Sequence, residues 1–461
     1  MNETYLREHL KERRKAERIS FTFPARTPAG IIGETVNLSA SGLRLALERP
    51  LLSTRTIPIR IDFPFSSPFE SHVEIVWNRP ESENNRFLCG VRFLKLQKDA
   101  SGILKEAFGQ CKTLNSDFVS LTEMMRSWLV DFKTKCDNFD LMYPDDFDRI
   151  NFIEKNNFYV ETKLTQHFKS IGRCIKNFNS EEYILHQKYY RDMLWFFLSD
   201  LVEINRFIRY KPLGYAGDFI IMNYFYDYCY KYLGESSYEK SINFYTCNIP
   251  MAFSVVERKD FFKEKILETL RNKDSIKILS IASGSARELT ELVEEGKITK
   301  PLYFDCLDFE TEAFQDIKNT LQKAKPEDTR YLSIRFNNES FMDFIKGKPM
   351  LNLFEKYDMI YSSGLFDYLS NRIARKLVAH LFDFLDNEAT LFVTNAKNDM
   401  DYQAYYEMLG GWKLIHRKEE EVLAWADKIQ ESHRTELINL DTIKPFMFFI
   451  LALQKNPAKL F

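Results

Sequence analysis

Two short clusters of residues carry the chemistry this chain could do. The first is Arg13-Arg14-x-x-x-Arg18, followed about 20 residues later by Asn37-x-Ser39-x-x-Gly42. A guanidinium fork can grip phosphate oxygens and guanine edges, and it can stack on a base. Small polar residues with a glycine let backbone and side-chain groups come close to a compact anion. The second cluster is Ser283-Gly284-Ser285 behind the apolar run "IKILSIAS", with Asp308 and Glu310 one helix further on. In nucleotide-binding α/β folds the turn after the first strand needs small residues, so that its backbone can approach the ligand. An acid at the exposed end of the next strand can then accept hydrogen bonds from ribose hydroxyls. Asp308 is the first candidate for that role and Glu310 the second. A full GxGxG is absent, because Ala282 and Ala286 stand where glycine is common.

The elements that must position these clusters differ along the chain. From residue 20 to about 96, short β-prone runs such as "TIPIRIDF", "HVEIVW" and "FLCGVRFLKL" alternate with Gly, Pro, Ser and Asn turns, which predicts a small antiparallel barrel. The arginine cluster falls in an arm just ahead of its first strand. From about residue 100 helical periodicity takes over, and Tyr190, Met193, Leu194, Phe197, Leu201, Ile204 and Ile208 fall on one helical stripe. From residue 276 strands and helices alternate, which implies a doubly wound, mostly parallel sheet with helices on both faces. The expected organisation is a barrel with its arm over residues 1–109, a helical cap over 110–273, and an α/β domain over 274–461.

The arginine pair and turn, in this order and at the edge of a β-module, resemble the PilZ family, whose cyclic-di-GMP signature is RxxxR followed by (D/N)xSxxG. Arg14, Arg18, Asn37, Ser39 and Gly42 fill every specified position, and Trp77 and Gly90 fall in familiar places near the end of such a barrel. The resemblance covers residues 10 to 105 and implies cyclic-di-GMP as a regulatory ligand, held also by Arg13. The C-terminal half resembles class I S-adenosylmethionine-dependent methyltransferases. Its ending, "GGWKLIHR", a helix and "PFMFFILAL", resembles the reversed final hairpin of that fold. The segments "KPLGYAGDF", "LSIASGSAREL", "YDMIYSSGLFDYL" and "GGWKLIHR" together resemble the bacterial family of 3-hydroxy fatty acid methyl ester (quorum-signal) synthases. That resemblance implies S-adenosylmethionine as cofactor, with Ser283, Gly284 and Ser285 as its turn and Asp308 on the ribose. It also puts Ser340 and Phe341 beside the adenine, and Ser362, Ser363 and Gly364 where the reactive methyl emerges. Tyr215, Asp218, Asp367 and Tyr368 are the polar groups expected to face the acceptor, a small molecule or fatty acid.

Methyl transfer is an in-line displacement that asks the protein mainly to align donor and acceptor and to exclude water. A carboxylate acceptor is already nucleophilic, whereas a hydroxyl needs a base, for which Asp218 and Asp367 are available but no well-placed His. No NPPY or DPPY motif is present, which speaks against methylation of DNA bases or glutamine amides. The competing reading is a non-catalytic effector or adaptor whose methyltransferase fold only binds a ligand or partner.

Bulk properties exclude other classes. Apolar residues make up 45% and charged residues 28%, the balance of a globular chain. A net charge of −2 gives no reason to expect an obligate nucleic-acid partner. No stretch approaches the ~20 apolar residues of a bilayer span, and the N-terminus lacks a signal peptide's apolar centre. The seven cysteines form no CxxC pair and the seven histidines no HExxH, so reduced thiols, a cytoplasmic location and no metal are expected.

Overall fold

The computed structural model describes residues 18–19, 21–27, 30–47, 49–51, 56–63, 67–80, 86–94, 98–346, 353–397, 402–431, 435–443 and 448–455. Arg13 and Arg14 lie outside the described residues. The chain divides into two compact units, Met1–Phe132 with Ser170–Phe197, and Lys133–Lys169 with Leu198–Phe461.

In the first unit the strands β1 (Arg18–Ile19), β2 (Pro24–Thr27), β3 (Gly30–Ser39), β4 (Gly42–Leu47), β5 (Ile57–Ile61), β6 (Phe69–Pro80) and β7 (Phe87–Phe93) run antiparallel in the order β1-β3-β2-β5-β6-β7-β4. A further β3–β4 pairing closes six of them into a barrel. Closure removes the free edges that an open sheet would present. Leu43, Leu45 and Leu47 of β4, Ile59 and Ile61 of β5, and Phe69 and Val73 of β6 fill the interior at period-two spacing. Arg18 stands inside β1, paired with Ser39 across β3, so the arm predicted to precede the barrel is already part of its sheet at this residue.

The helices begin with α1 (Lys98–Thr113), α2 (Ser116–Met142), α3 (Asp146–Ile175) and α4 (Ser180–Trp195). Asn115 accepts from the amides of Asp117 and Phe118 at the start of α2, and Asn179 with Glu182 forms a capping box at the start of α4. Arg126 of α2 pairs with Glu34 of β3 within the first unit. The stripe predicted from Tyr190 to Ile208 is broken. After α4 the backbone makes one π turn over Phe196–Asp200 and restarts as α5 (Glu203–Tyr210). Val202 is extended at the restart, and Asn205 Nδ2 donates to Leu198 O at 2.7 Å across the break.

The second unit continues with α6 (Phe219–Tyr228), α7 (Ser237–Asn248) and α8 (Pro250–Asn272), then the sheet. Its strands are β8 (Ile276–Ile281), β9 (Leu302–Asp308), β10 (Leu332–Asn338), β11 (Tyr357–Ser362), β12 (Leu385–Ala396), β13 (Thr435–Ile443) and β14 (Phe448–Lys455). The order is β10-β9-β8-β11-β12-β14-β13, parallel through β12, with β14 and β13 antiparallel to their neighbours. In chain order within the sheet this reads 3-2-1-4-5-7-6, the doubly wound Rossmann-like arrangement with an inserted last strand. The strands are apolar almost throughout because both faces are covered. Leu279, Ile281 and Ile360 face α12 (Asn371–Asp383; α9, α10 and α11 are Arg287–Glu294, Thr311–Leu321 and Phe341–Ile345), whereas Ile278, Phe304 and Tyr361 pack with Phe262 of α8 and Leu289 of α9.

One strand differs from expectation. The antiparallel partner of β14 is Thr435–Ile443, not "GGWKLIHR". That segment buries Trp412 and Leu414 and makes one isolated bridge, Lys397 to Arg417. Arg417 is held by Asn371, Asn395 and the carbonyls of Phe366 and Leu369, a buried network that takes the place of strand pairing.

Candidate active site

β9 and β11 lie on opposite sides of β8, the first strand of the sheet, which creates a switch point, where open α/β sheets open a crevice for ligands. At that point the chain leaves β8 through a turn pinned by two amides, Ala282 and Ser283, both donating to Leu307 O at the end of β9 (2.8 and 3.4 Å). Three residues of the turn are left-handed, with φ of 53° at Ala282, 52° at Gly284 and 39° at Ala286. Only Gly284 adopts this without cost. Each alanine carries a strain of about 1–2 kcal/mol. The conformation expected of the glycine motif is therefore kept where two glycines are missing.

Asp308 closes the turn from the neighbouring strand. Its Oδ2 accepts from Gly284 N at 2.8 Å and its Oδ1 from Glu310 N at 3.1 Å. It is 6% exposed, so the strand end expected to be open is buried. Burial raises the pKa of this carboxyl, and the amides of Gly284, Glu310 and Phe309 partly restore the charged form. Glu310 is pushed up to about 7, first by burial and then by the charges of Asp308 and Asp218, against a hydrogen bond from Tyr215.

Over this point lies a cavity of about 400 Å³, within the range of small-molecule sites. Of the residues singled out from sequence, Ser283, Gly284, Ser285, Asp308, Ser363, Gly364, Tyr215, Asp367 and Tyr368 line it. The others do not line it. Ser362 Oγ donates to Ile281 O at 3.0 Å inside the sheet. Asp218 caps α6 by accepting from the amides of Ile220 and Ile221. Ser340 accepts from Met342 N at the start of α11, and Phe341 packs into the core under α12. Glu310 does not line the cavity but touches two residues that do, Asp308 through its amide and Tyr215 through its carboxyl.

The "LFDYL" turn and the "KPLGYAGDF" loop build another part of the cavity wall. Asp367 Oδ1 accepts from Ala396 N at 2.6 Å, and burial lifts this carboxyl to about 6 although Arg258 and Arg417 pull it down. Tyr368 OH accepts from Trp412 Nε1 at 2.8 Å. Gly217 lies against that hydroxyl so closely that a Cβ there would come within 2.4 Å of it. Glu288, also in the wall, is buried, raised by burial, and bonded by Tyr361 OH. Sequence reasoning missed Arg258, Trp412 and Phe448, all of which line the cavity.

On the barrel, Ser39 Oγ donates to Gly42 O at 2.9 Å and stiffens the turn. A Cβ at Gly42 would lie 2.2 Å from Val91 O, so the barrel wall itself requires glycine here. Asn37, Arg44, Gly90 and Trp77 form one row across β3, β4, β7 and β6. Arg44 and Arg79 each approach the Trp77 ring, at 5.6 and 5.3 Å.

Comparison with known proteins bears on both units. The PilZ domain family model matches residues 12–109, a span that contains β1 to β7. No curated protein sequence matches the chain. Among solved structures, similarity extends to a possible exported protein from Bordetella parapertussis (15% identity, 66% of this chain and 97% of that one, TM-score 0.43). It extends also to magnesium protoporphyrin IX methyltransferase from Synechocystis PCC 6803 with bound SAM (12% identity, 44% and 81%, TM-score 0.31). A third is the methyltransferase domain of bacterial CtHen1-CN (14% identity, 43% and 99%, TM-score 0.32). Among the described residues no helix is long and apolar enough to cross a membrane.

Proposed function

We propose that this chain is a cyclic-di-GMP-responsive, S-adenosylmethionine-dependent methyltransferase that O-methylates a carboxylate of a small molecule or fatty acid. The observation that carries the reading is Asp308 drawn onto the Gly284 amide at the switch point of a 3-2-1-4-5-7-6 sheet, beneath a cavity. The donor set fits an adenosyl group. Asp308 keeps one carboxylate lone pair beyond its three amide partners for a ribose hydroxyl, Phe309 offers an exposed ring beside it, and the left-handed turn gives a backbone without bulky side chains. When bound, the sulfonium supplies an electrophilic methyl carbon whose bond to sulfur breaks as the acceptor oxygen attaches. The chain's own residues orient and desolvate. Trp412, Tyr368 and the 211–219 loop wall off water at the acceptor end. A carboxylate acceptor needs no proton removed. For a hydroxyl, Asp367, largely ionised above pH 6, is the side chain able to take the proton.

Cyclic-di-GMP responsiveness is supported by the family match and by Arg18 standing opposite Ser39 within it. Residues of both units are continuous in α2 and α3, which gives a covalent route for coupling. A coupling of about 1–3 kcal/mol would change cofactor or acceptor affinity about 5- to 150-fold, and reciprocally the affinity for the dinucleotide. The test is turnover of S-adenosylmethionine to S-adenosylhomocysteine with 3-hydroxy fatty acids, with and without saturating cyclic-di-GMP. Cofactor binding without turnover on any carboxylate would refute the catalytic reading. Turnover and binding constants untouched by the dinucleotide would refute regulation alone.

A further inference from the structure

The cavity wall contains a buried cation, Arg258. Arg258 lies on α8, where Met251, Val255 and Arg258, at spacings of four and three, share the stripe facing the cavity. It is 4% exposed, and its Nε and Nη1 have no hydrogen-bond partner among the described residues. The Phe448 ring lies 4.5 Å from its guanidinium carbon and covers one face. Gly364 lies along its edge, where a Cβ would come 3.4 Å from Nη2 and 3.5 Å from Nη1. The nearby acid is Asp367, and one of its oxygens is already taken by Ala396 N. Burying a guanidinium with donors unmet is unfavourable, and a ligand anion removes that penalty.

We propose that Arg258 is the carboxylate anchor of this cavity. The ring and the glycine flank a planar fork whose parallel N–H pairs are Nε with Nη2 and Nη1 with Nη2, so a carboxylate that meets either edge satisfies one of the two unpaired nitrogens. The same cavity is lined by Asp308, Asp367 and Glu288, so a monoanion is accepted where a phosphate dianion would meet three acidic side chains. The carboxylate comes from one of two sources, the amino-acid end of the adenosyl cofactor or the acceptor. The inference rests on the methyltransferase reading only for the first source.

Two pairs of probes separate the sources by calorimetry on the full chain. S-adenosylhomocysteine carries the amino-acid carboxylate and 5′-methylthioadenosine does not; dodecanoate carries one and dodecanol does not. If the cofactor is held, Arg258→Gln weakens S-adenosylhomocysteine roughly ten- to hundredfold, the effect of losing charge-assisted hydrogen bonds, and leaves methylthioadenosine unchanged. If the acceptor is held, the same loss falls on dodecanoate and spares dodecanol. Arg258→Lys, which keeps the charge but not the fork, should recover part of the affinity and serves where the glutamine variant does not fold. Equal weakening within both pairs, or no weakening in either, overturns the anchor. Wild-type protein that binds neither adenosine probe overturns the cofactor reading, and the dodecanoate pair then decides Arg258 by itself.

Discussion

Asp367 should destabilise the protein that carries it. Its carboxyl is 3% exposed, and its titration moves from the ordinary aspartate value near 4 to about 6 because burial penalises the charge. Two pH units correspond to about 3 kcal/mol. The sign follows from proton binding. Between about pH 4 and 6 the folded state holds a proton that the unfolded chain has lost, so stability falls as pH rises through that window and stays lower above it. Asp367→Asn keeps the acceptor for Ala396 N and removes the charge. The variant should therefore match the wild type near pH 4 and exceed it by up to about 3 kcal/mol at pH 8, while losing turnover on any hydroxyl acceptor. Urea unfolding of both proteins at pH 4.5, 6 and 8 measures this, and the difference between them cancels other titrating groups such as Glu310. A variant less stable than the wild type at pH 8, or a difference that does not vary with pH, would refute the reasoning.

Four further variants test the geometry. Asp308→Asn should weaken S-adenosylhomocysteine binding about tenfold or more, since charge-assisted bonds are worth about 1.5–3 kcal/mol; calorimetry checks it, and unchanged affinity would remove the ribose assignment. Because Asp308 also ties Gly284 and Glu310 together, Asp308→Ala should cost stability as well as affinity. Ala282→Gly, against the usual cost of such a change, should be neutral or stabilising by up to about 1 kcal/mol in urea unfolding, because it releases left-handed strain. Gly42→Ala should lower the thermal midpoint of the ligand-free protein by an overpacking cost of about 1–3 kcal/mol, because the added carbon meets Val91 O.

How much of this was legible in the sequence depended on whether a residue's role was local. The parallel strands were readable because burial on both faces makes each an unbroken apolar run, as in Ile276–Ile281. The tight turn after the first strand of this sheet was readable by its place after such a run, even with alanine where two glycines are common. There the pinning amides of Ala282 and Ser283 impose the left-handed backbone on whatever residue occupies the site. Gly42 was read as room for a ligand, yet its nearest constraint is a carbonyl on β7, 49 positions away in the chain, which no local pattern reports. Ser340 and Phe341 come at the expected distance after the third strand of that sheet, where one accepts from an amide at a helix start and the other, partly buried, packs against the core. Arg258 was hidden for the opposite reason. Within "VVERKDFFKEK" it reads as one charge among several on a solvated helix, and only the fold brings Phe448 and Gly364 around it. A charged residue at i+3 from Val255 and i−4 from Phe262, both buried, was the one signal available. An arginine on the apolar stripe of a helix must find a partner inside the protein or take one from a ligand, and among the described residues two nitrogens of Arg258 have none.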